Sequence, residues 1–343
     1  MIYNRIVRPL LFRLDAEKAH DLIFSTGMRF QQSDAFNAFI REQLAFEDAS
    51  LQVKTSGLTF PNPVGLAAGF DKNAKLLPLL ESTGFGFVEV GSITAQAASG
   101  NPKPRMFRLP EDKAVINRMG LNNDGAKVIC ERLKNRTSNI PIGVNIAKTP
   151  GTGLSGTAAI NDYVTSYKLA LPVADYITLN ISCPNTGDGK SFEDPDSFRA
   201  LMEGIRSVES EKNVPLFIKF SADTPSEILK ELIKIAESFE ADGFIATNTS
   251  TSRIGLKSPE SLLRQIGAGG LSGHPIHQKA LDKLKIIRDT CSDEKTVISA
   301  GGIMTPEQAR ERMHEGANLI QVYTGLVYNG PGFVGDINRY LAG

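Results

Sequence analysis

The 343-residue sequence contains no tryptophan, only four histidines and only three cysteines. The cysteines, Cys130, Cys183 and Cys291, are odd in number and far apart along the chain. This pattern argues against a disulfide framework and favours a reducing compartment. The histidines show no HExxH pattern and the cysteines form no CxxC pair, so we predict no metal site.

The sequence also lacks an excess of charge of either sign and lacks long apolar runs. Its 38 basic residues balance 38 acidic residues, so no overall field would attract nucleic acid, and we predict no nucleic-acid partner. No stretch approaches the roughly 18 uninterrupted apolar residues of a membrane span. Residues 1–24 lack the pattern of a secretory signal. We therefore predict a chain that does not cross a membrane.

Residues 1–14 combine three arginines with apolar residues, and no acidic residue precedes Asp15. This composition suits a helix that lies in the interface of a membrane. A helix that packs on the protein's own core would have the same composition. The segment alone leaves both interpretations open.

Eight short apolar runs alternate with helix-like segments, which is typical of βα units around a parallel sheet. Eight such units predict an α/β fold, a (β/α)8 TIM barrel, with a doubly wound open sheet as the alternative. Residues 225–241 and 305–317 have the periodicity of outer helices, and residues 1–45 are predicted to form an N-terminal helical extension of a barrel at residues 46–343. The eight runs are residues 63–69, 86–92, 141–147, 176–182, 215–221, 243–249, 296–302 and 319–325.

Polar residues and glycines gather at the carboxyl ends of these runs, which is the face of a barrel that carries active sites. Asn145, Asn180, Asn185 and Asn248 offer uncharged donors and acceptors that suit a planar heterocycle. Each alone is more typical of a cap or turn, and only their shared placement at strand ends favours a ligand site. Glycines follow the seventh and eighth runs, where barrels commonly bind phosphate. Together these features predict a planar, phosphorylated ligand.

Two further residues and two long connections stand out. Lys219 lies in an apolar run, where burial is costly without an anionic partner, so we expect it to face a negative charge. Cys183 directly follows the fourth run with no histidine nearby in the sequence, which favours a general base over a nucleophile, with inert packing as the alternative. We expect residues 93–140 and 250–295 to build the site or its lid.

With these residues assembled, the chain resembles the dihydroorotate dehydrogenase family, and specifically its quinone-dependent class 2. The resemblance implies that FMN in the barrel oxidises (S)-dihydroorotate to orotate in pyrimidine (UMP) biosynthesis, with a quinone as electron acceptor. It also implies that a base at position 183 removes the C5 proton while hydride passes from C6 to flavin N5. The motifs that carry it are, in chain order, YNRIVRPLLFRLDAEKAHDL, NPVGLAAGFDKN, GNPKPRMFRLPEDKAVINRMGLNN, NISCPNT, ATNTS, GGLSG, SAGGI and QVYTG.

The resemblance assigns roles to individual positions. It places Arg108 and Tyr323 near the quinone, and the N-terminal helices around the quinone tunnel. The resemblance also implies that the protein is a monomer or weak homo-oligomer. It further implies peripheral binding at the cytoplasmic face of the bacterial inner membrane. The positions that match FMN-binding residues are Ala68, Gly69, Phe70, Asp71, Lys72, Ser92, Asn145, Asn180, Lys219, Thr247, Gly273, Gly302, Tyr323 and Thr324. Those that match substrate-binding residues are Lys72, Asn117, Arg118, Met119, Gly120, Leu121, Asn180, Asn185, Asn248 and Thr249.

The sequence departs from the class 2 pattern in two places. Position 183 is cysteine, as in the soluble class, where class 2 usually has serine. Residues 187–196 lack the Pro-Gly-Leu-Arg type of sequence that is typical of class 2. A soluble-type enzyme that uses fumarate or NAD is therefore the alternative. The N-terminal extension and the segment at residues 107–118 favour the quinone-dependent class.

Overall fold

Eight parallel strands close into a barrel in the computed structural model, which describes residues 3–182, 192–210 and 212–343. Each strand pairs with the next one along the chain, and the eighth pairs with the first. The predicted (β/α)8 barrel is confirmed, and the open-sheet alternative is wrong. The strands are β1 Val64–Leu66, β2 Phe87–Ile93, β3 Ile142–Ile146, β4 Tyr176–Asn180, β5 Leu216–Phe220, β6 Gly243–Ala246, β7 Thr296–Ala300 and β8 Leu319–Val322.

Aromatic side chains fill the amino-terminal end of the barrel. The rings of Phe87 and Tyr176 project inward and pack with Phe60 and Phe217. Glycine in the neighbouring strand makes room for each ring, because a Cβ at Gly65 would lie 2.3 Å from the Phe87 ring. A hairpin of strands Val53–Thr55 and Leu58–Phe60 covers this end. The barrel is therefore a packed core at its floor rather than an open channel.

Helices connect the strands and cover the outside of the barrel. Helices α8 Ser226–Ser238 and α11 Pro306–His314 lie within the two segments predicted from periodicity. Helix α11 begins where the side chain of Thr305 accepts a hydrogen bond from the Gln308 backbone N–H, which is the usual N-cap arrangement. The barrel helices are α4 Leu77–Ser82, α5 Ala126–Lys134, α6 Gly156–Ala170, α7 Pro195–Arg206, α8 Ser226–Ser238, α9 Glu260–Ile266, α10 His277–Thr290, α11 Pro306–His314, α12 Thr324–Asn329 and α13 Phe333–Ala342. Short 3-10 turns occur at Ala49–Leu51, Pro110–Asp112 and His274–Ile276.

The two long connections jointly form a three-stranded antiparallel sheet. Strands Met106–Leu109 and Ala114–Asn117 come from the first connection, and Gly270–Gly273 comes from the second. Ala114–Asn117 is the central strand. The sequence predicted these connections from their length and their content of glycine and proline. It did not predict the sheet, because the pairing joins segments about 150 residues apart that no local pattern links.

Three N-terminal helices pack against one side of the barrel: α1 Arg8–Phe12, α2 Ala16–Phe30 and α3 Asp34–Leu44, after a π-helical turn at Tyr3–Val7. A buried ion pair joins α2 to the barrel, because Nη2 of Arg105 donates to Oε1 of Glu17 at 2.8 Å. Nη1 of Arg108 donates to the Leu11 carbonyl oxygen at 2.9 Å. Breaking such a buried pair costs about 3–5 kcal/mol, so the helices are held firmly to the barrel.

The outer surface of these helices is unusually apolar. Phe12 and Ala16 face the barrel and pack near Tyr328, so one face of the segment does contact the protein's own core. The exposed face of the N-terminal segment carries most of the large exposed apolar side chains in the part of the chain that the structure describes. Within that part, none of the helices has the length and apolar character that crossing a membrane requires. The exposed apolar residues of this face are Ile6, Val7, Leu10, Leu14, Leu22, Ile23, Met28, Phe30 and Phe39.

Candidate active site

The carboxyl ends of the barrel strands and the three-stranded sheet enclose a cavity of about 720 Å³. Most of the residues that the sequence analysis selected lie in its wall. The cavity-lining members of the predicted set are Ala68, Gly69, Lys72, Ser92, Asn117, Arg118, Met119, Gly120, Leu121, Asn145, Asn180, Lys219, Thr247, Asn248, Thr249, Gly273, Gly302, Tyr323 and Thr324. Residues from distant parts of the sequence therefore meet in one space of the size usual for cofactor sites.

Three of the selected residues that the structure describes do not line this wall. The Asp71 carboxylate accepts hydrogen bonds from the backbone N–H groups of Lys75 and Leu76 at 2.9 and 2.7 Å, so it holds the turn after β1. Phe70 packs its ring on Tyr323, behind the wall. Arg108 lies under the N-terminal helices. Cys183 and Asn185 lie outside the residues that the structure describes.

A fully buried carboxylate, Glu89 of β2, lies at the base of the cavity. Its Oε1 accepts hydrogen bonds from Asn145 Nδ2 at 2.8 Å and from Lys219 Nζ at 3.2 Å. Its Oε2 accepts from Gln321 Nε2 at 2.9 Å and from Thr178 Oγ1 at 3.1 Å. The carboxylate is thus paired with a cation and hydrogen-bonded through both oxygens, as a buried charge requires.

Glu89 is the anionic partner that the sequence analysis expected for Lys219 but did not identify. The signal was present, because Glu89 interrupts the apolar run at residues 86–92 as Lys219 interrupts the run at residues 215–221. Two opposite charges in two barrel strands predict a buried pair.

Above Glu89, amide and hydroxyl groups form a chain of hydrogen bonds across the strand ends. Asn180 Nδ2 donates to Ser92 Oγ at 3.1 Å, and Ser92 Oγ donates to Asn145 Oδ1. Asn248 Nδ2 donates to Asn180 Oδ1 at 3.2 Å and to Ser182 Oγ at 2.8 Å. These groups hold one another in fixed orientations and present an uncharged polar surface to the cavity.

The turn after β7 has the properties of an anion cradle. Gly301 and Gly302 line the cavity, and their backbone N–H groups donate to no acceptor among the described residues. Gly302 has a φ of 75°, and a Cβ there would lie 2.3 Å from the Cα of His277. Only glycine fits so close to the start of α10. Open backbone donors beside a helix N-terminus suit a phosphate group.

Lys72 brings a positive charge to the same cavity. Burial, together with the nearby guanidinium of Arg105, lowers the pKa of Lys72 to about 8. The ammonium group is therefore mostly charged at neutral pH, and burial strengthens its attraction to an anion.

A row of aromatic rings leads from the cavity toward the N-terminal helices. The Tyr323 ring contacts Phe70 at a centroid distance of 5.8 Å, and Phe70 contacts His20 of α2 at 5.2 Å. Burial raises the pKa of Tyr323 to about 12, and burial and the charge of Lys72 lower the pKa of His20. Both rings are therefore uncharged at neutral pH. The sequence analysis did not select His20, although it is the only histidine in the predicted extension.

Comparison with known proteins identifies the family. A family model described as dihydroorotate dehydrogenase matches residues 50–343. The chain belongs to the dihydroorotate dehydrogenase family. The resemblance inferred from the sequence motifs is thereby confirmed.

Relatives of this family match along almost the whole chain. A protein of Clavibacter michiganensis subsp. michiganensis named dihydroorotate dehydrogenase (quinone) is 41% identical over 99% of this chain and 98% of its own length. A protein of Thermobifida fusca with the same name is 39% identical over 100% of this chain and 92% of its own length. A ligand-free structure of the Eimeria tenella enzyme superposes with a TM-score of 0.84 at 32% identity, covering 95% of this chain and 94% of that one.

Dihydroorotate dehydrogenases depend on a flavin, and the cavity fits such a group. Its wall combines a glycine turn with free N–H groups, a chain of amides and a buried lysine. The Gln321 side chain adds a buried Oε1 that lacks a hydrogen-bond donor among the described residues. This donor and acceptor set matches a molecule with a phosphate at one end and a polar ring edge at the other.

The stability of the fold should depend on the presence of both Glu89 and Lys219. Replacing Glu89 by Gln leaves the Lys219 ammonium buried without a counter-charge, so we expect the free energy of unfolding to fall by about 3 kcal/mol or more. Replacing Lys219 by Met in the same protein removes that charge and should recover most of the loss. Urea unfolding of the single and double variants measures both effects. A double variant whose loss in the free energy of unfolding equals the sum of the losses in the two single variants would contradict an interaction between Glu89 and Lys219.

Proposed function

We propose that the protein oxidises (S)-dihydroorotate to orotate, with FMN as cofactor and a quinone as electron acceptor. The observation that carries the proposal is full-length similarity to enzymes named dihydroorotate dehydrogenase (quinone). The reaction belongs to the de novo pathway to UMP. The charged and amide groups of the cavity support it, since the substrate is a pyrimidine ring with amide edges and a carboxylate.

FMN would occupy the floor of the cavity. Gly273, Gly302 and Thr324 would hold its phosphate, and Asn145 and Lys219 would contact the polar edge of its ring system. When bound, the flavin accepts the hydride that leaves the substrate. The positive charge of Lys219 would favour electron density on the ring, while Glu89 fixes the position of that charge. The remaining predicted contacts are Ala68, Gly69, Phe70, Asp71, Lys72, Ser92, Asn180, Thr247 and Tyr323.

Dihydroorotate would lie on the amide side of the cavity. The side chains of Asn180 and Asn248 are linked by a hydrogen bond of 3.2 Å and can pair with the amide groups of the substrate ring. Lys72, charged at neutral pH, would bind the substrate carboxylate. The further substrate contacts are Asn117, Arg118, Met119, Gly120, Leu121, Asn185 and Thr249.

Cys183 is the proposed base that removes the C5 proton. It directly follows Ser182, whose hydroxyl donates to Asn180 Oδ1 at 2.8 Å and accepts from Asn248. The backbone that leads to position 183 is therefore tied to the substrate-binding amides. A thiol is a suitable base near neutral pH, because its ordinary pKa is about 8.5.

Residues 1–45 would form the quinone module and residues 46–343 the catalytic barrel. Quinones dissolve in lipid, so an acceptor site must open toward a membrane. The exposed apolar face of the N-terminal helices suits peripheral binding at the cytoplasmic face of the inner membrane, and the protein would act as a monomer or weak homo-oligomer. Arg108 and Tyr323 would lie along the quinone path, with the His20 and Phe70 rings between the helices and the cavity.

A soluble-type dihydroorotate dehydrogenase is the second candidate. The cysteine at position 183, which is typical of that class, favours it. Such an enzyme would pass electrons to fumarate or NAD. The N-terminal helices instead favour the quinone-dependent class.

The choice of acceptor tests the proposed function. We expect dihydroorotate to reduce the bound flavin under anaerobic conditions, and we expect a soluble ubiquinone or menaquinone analogue to support steady turnover. Fumarate and NAD should support little. Turnover with fumarate but not with quinone would establish the second candidate, and a flavin that dihydroorotate does not bleach would overturn both.

Replacement of Cys183 by Ser tests the base. Flavin reduction by the wild-type protein should accelerate as pH rises and level off near the thiol pKa, because only the thiolate accepts the proton. A serine hydroxyl ionises at far higher pH, so the variant should be slower at neutral pH and should still accelerate where the wild-type rate is constant. Stopped-flow absorbance across pH measures both profiles. Identical rates and profiles would remove Cys183 from this role.

Charged substitutions on the exposed apolar face test membrane binding. The double change Leu10→Glu and Leu22→Glu should weaken co-sedimentation with phospholipid vesicles by about tenfold or more, because two apolar contacts with lipid are lost. Val128→Glu is the control, since Val128 is similarly exposed but lies on α5. Flavin reduction by dihydroorotate should proceed at the same rate in the wild type, the double variant and the control. Equal vesicle binding by all of them would contradict the proposed membrane face.

A further inference from the structure

A buried arginine lies directly behind the glycine turn of the cavity. Arg312 of α11 has no exposed surface. Its Nη2 donates to the carbonyl oxygens of His277 at 2.6 Å and Gly301 at 3.2 Å, and its Nη1 lies 3.5 Å from Ser299 Oγ. Its Nε has no acceptor among the described residues. The guanidinium is thus surrounded by neutral groups.

No described carboxylate lies within 4 Å of this guanidinium. The charges of Glu311 and Asp282 act on Arg312 from a distance. The Glu311 carboxylate contacts Nε2 of the His277 ring at 3.1 Å, while Nδ1 of that ring lies 3.2 Å from Arg312. Burial and the adjacent arginine lower the pKa of His277, so the ring is neutral at pH 7. An uncharged imidazole therefore separates Glu311 from Arg312.

Arg312 nevertheless keeps its charge. Burial lowers its pKa to about 10, which is still well above neutral pH. A buried cation without a direct counter-ion is costly, and proteins normally place an anion near it. The cavity lies on the other side of the Gly301–Gly302 turn, so an anion in that turn would meet this need.

The hydrogen bonds of the Gly301–Gly302 turn also favour an anion in this turn. The carbonyl of Gly301 accepts from Arg312, and the carbonyl of Gly302 lies 3.3 Å from Nδ1 of His277. The Gly301 carbonyl is therefore held toward Arg312. The backbone N–H groups of both glycines remain without a described acceptor. Arg312 holds a turn whose open donors suit an anion.

We propose that Arg312 is a positioning residue for the phosphate of the bound flavin. It holds the Gly301–Gly302 turn from behind, and the phosphate is the counter-charge of its guanidinium. The inference rests on the proposed function, because it takes the bound cofactor to be FMN with its phosphate in this turn.

Comparison of FMN with riboflavin, which lacks the phosphate, isolates this role. Apoprotein of the full chain is titrated with each flavin, and the dissociation constants are measured by flavin fluorescence. Wild type should bind FMN far more tightly than riboflavin. Arg312→Met should weaken FMN binding by about tenfold or more and change riboflavin binding by no more than about twofold, while Arg312→Lys should retain most of the preference for FMN.

Arg310→Met is the matched control. Arg310 lies on the same helix and carries the same charge, but its guanidinium packs over the Tyr340 ring at 3.9 Å. Its loss should leave the preference for FMN unchanged. A change equal to that of Arg312→Met would show a long-range charge effect and overturn the assignment, as would an Arg312→Met protein that loses both flavins equally.

Glu311→Gln provides a second test that does not disturb the core, because Glu311 is partly exposed. Removing this distant carboxylate leaves the phosphate as the main counter-charge, so the preference for FMN over riboflavin should rise by about threefold. An unchanged preference would contradict the electrostatic role, and it decides the question if Arg312→Met does not fold. A wild-type protein that binds both flavins equally would instead reject the proposed cofactor placement itself.

Discussion

The barrel depends on one buried carboxylate. Glu89 accepts hydrogen bonds from side chains of β3, β4, β5 and β8, so a group on β2 joins five of the eight strands. A carboxylate in this interior is tolerated only while its cation and its hydrogen-bond donors all stay in place. The requirement fixes the positions of Lys219 and Asn145, which are cavity residues. Stability of the fold and geometry of the site are thus consequences of the same pair.

The interior of the barrel is layered by polarity. Phe87, Tyr176 and Phe217 form an apolar floor, the Glu89 group lies above it, and the linked amides of Asn180 and its neighbours form the top. The floor excludes water from one side of the charges, which strengthens their interactions. The amides can then bind a neutral ring edge without disturbing the ion pair. This order gives the cavity a charged base and an uncharged polar upper wall.

The sequence predicted those features that local patterns determine. Eight apolar runs with polar ends were sufficient for the barrel and for most of the cavity wall, because strand ends necessarily converge in a closed sheet. Pairings between distant segments were not predictable in this way. The sheet formed by Met106–Leu109 and Gly270–Gly273, the Glu89–Lys219 contact and the position of Arg312 all depend on tertiary packing. Single residues of unexpected polarity in apolar runs were the available signal, and Glu89 was one that was passed over.

The two class-specific features of the chain lie far apart in the sequence. Cys183 follows Ser182, after the carboxyl end of β4. The apolar face of the N-terminal helices lies outside the barrel, joined to it by the Glu17–Arg105 pair and by the contact of His20 with Phe70. A cysteine at position 183 is therefore compatible with the N-terminal extension of the quinone-dependent class, because the two features belong to separate segments of the chain.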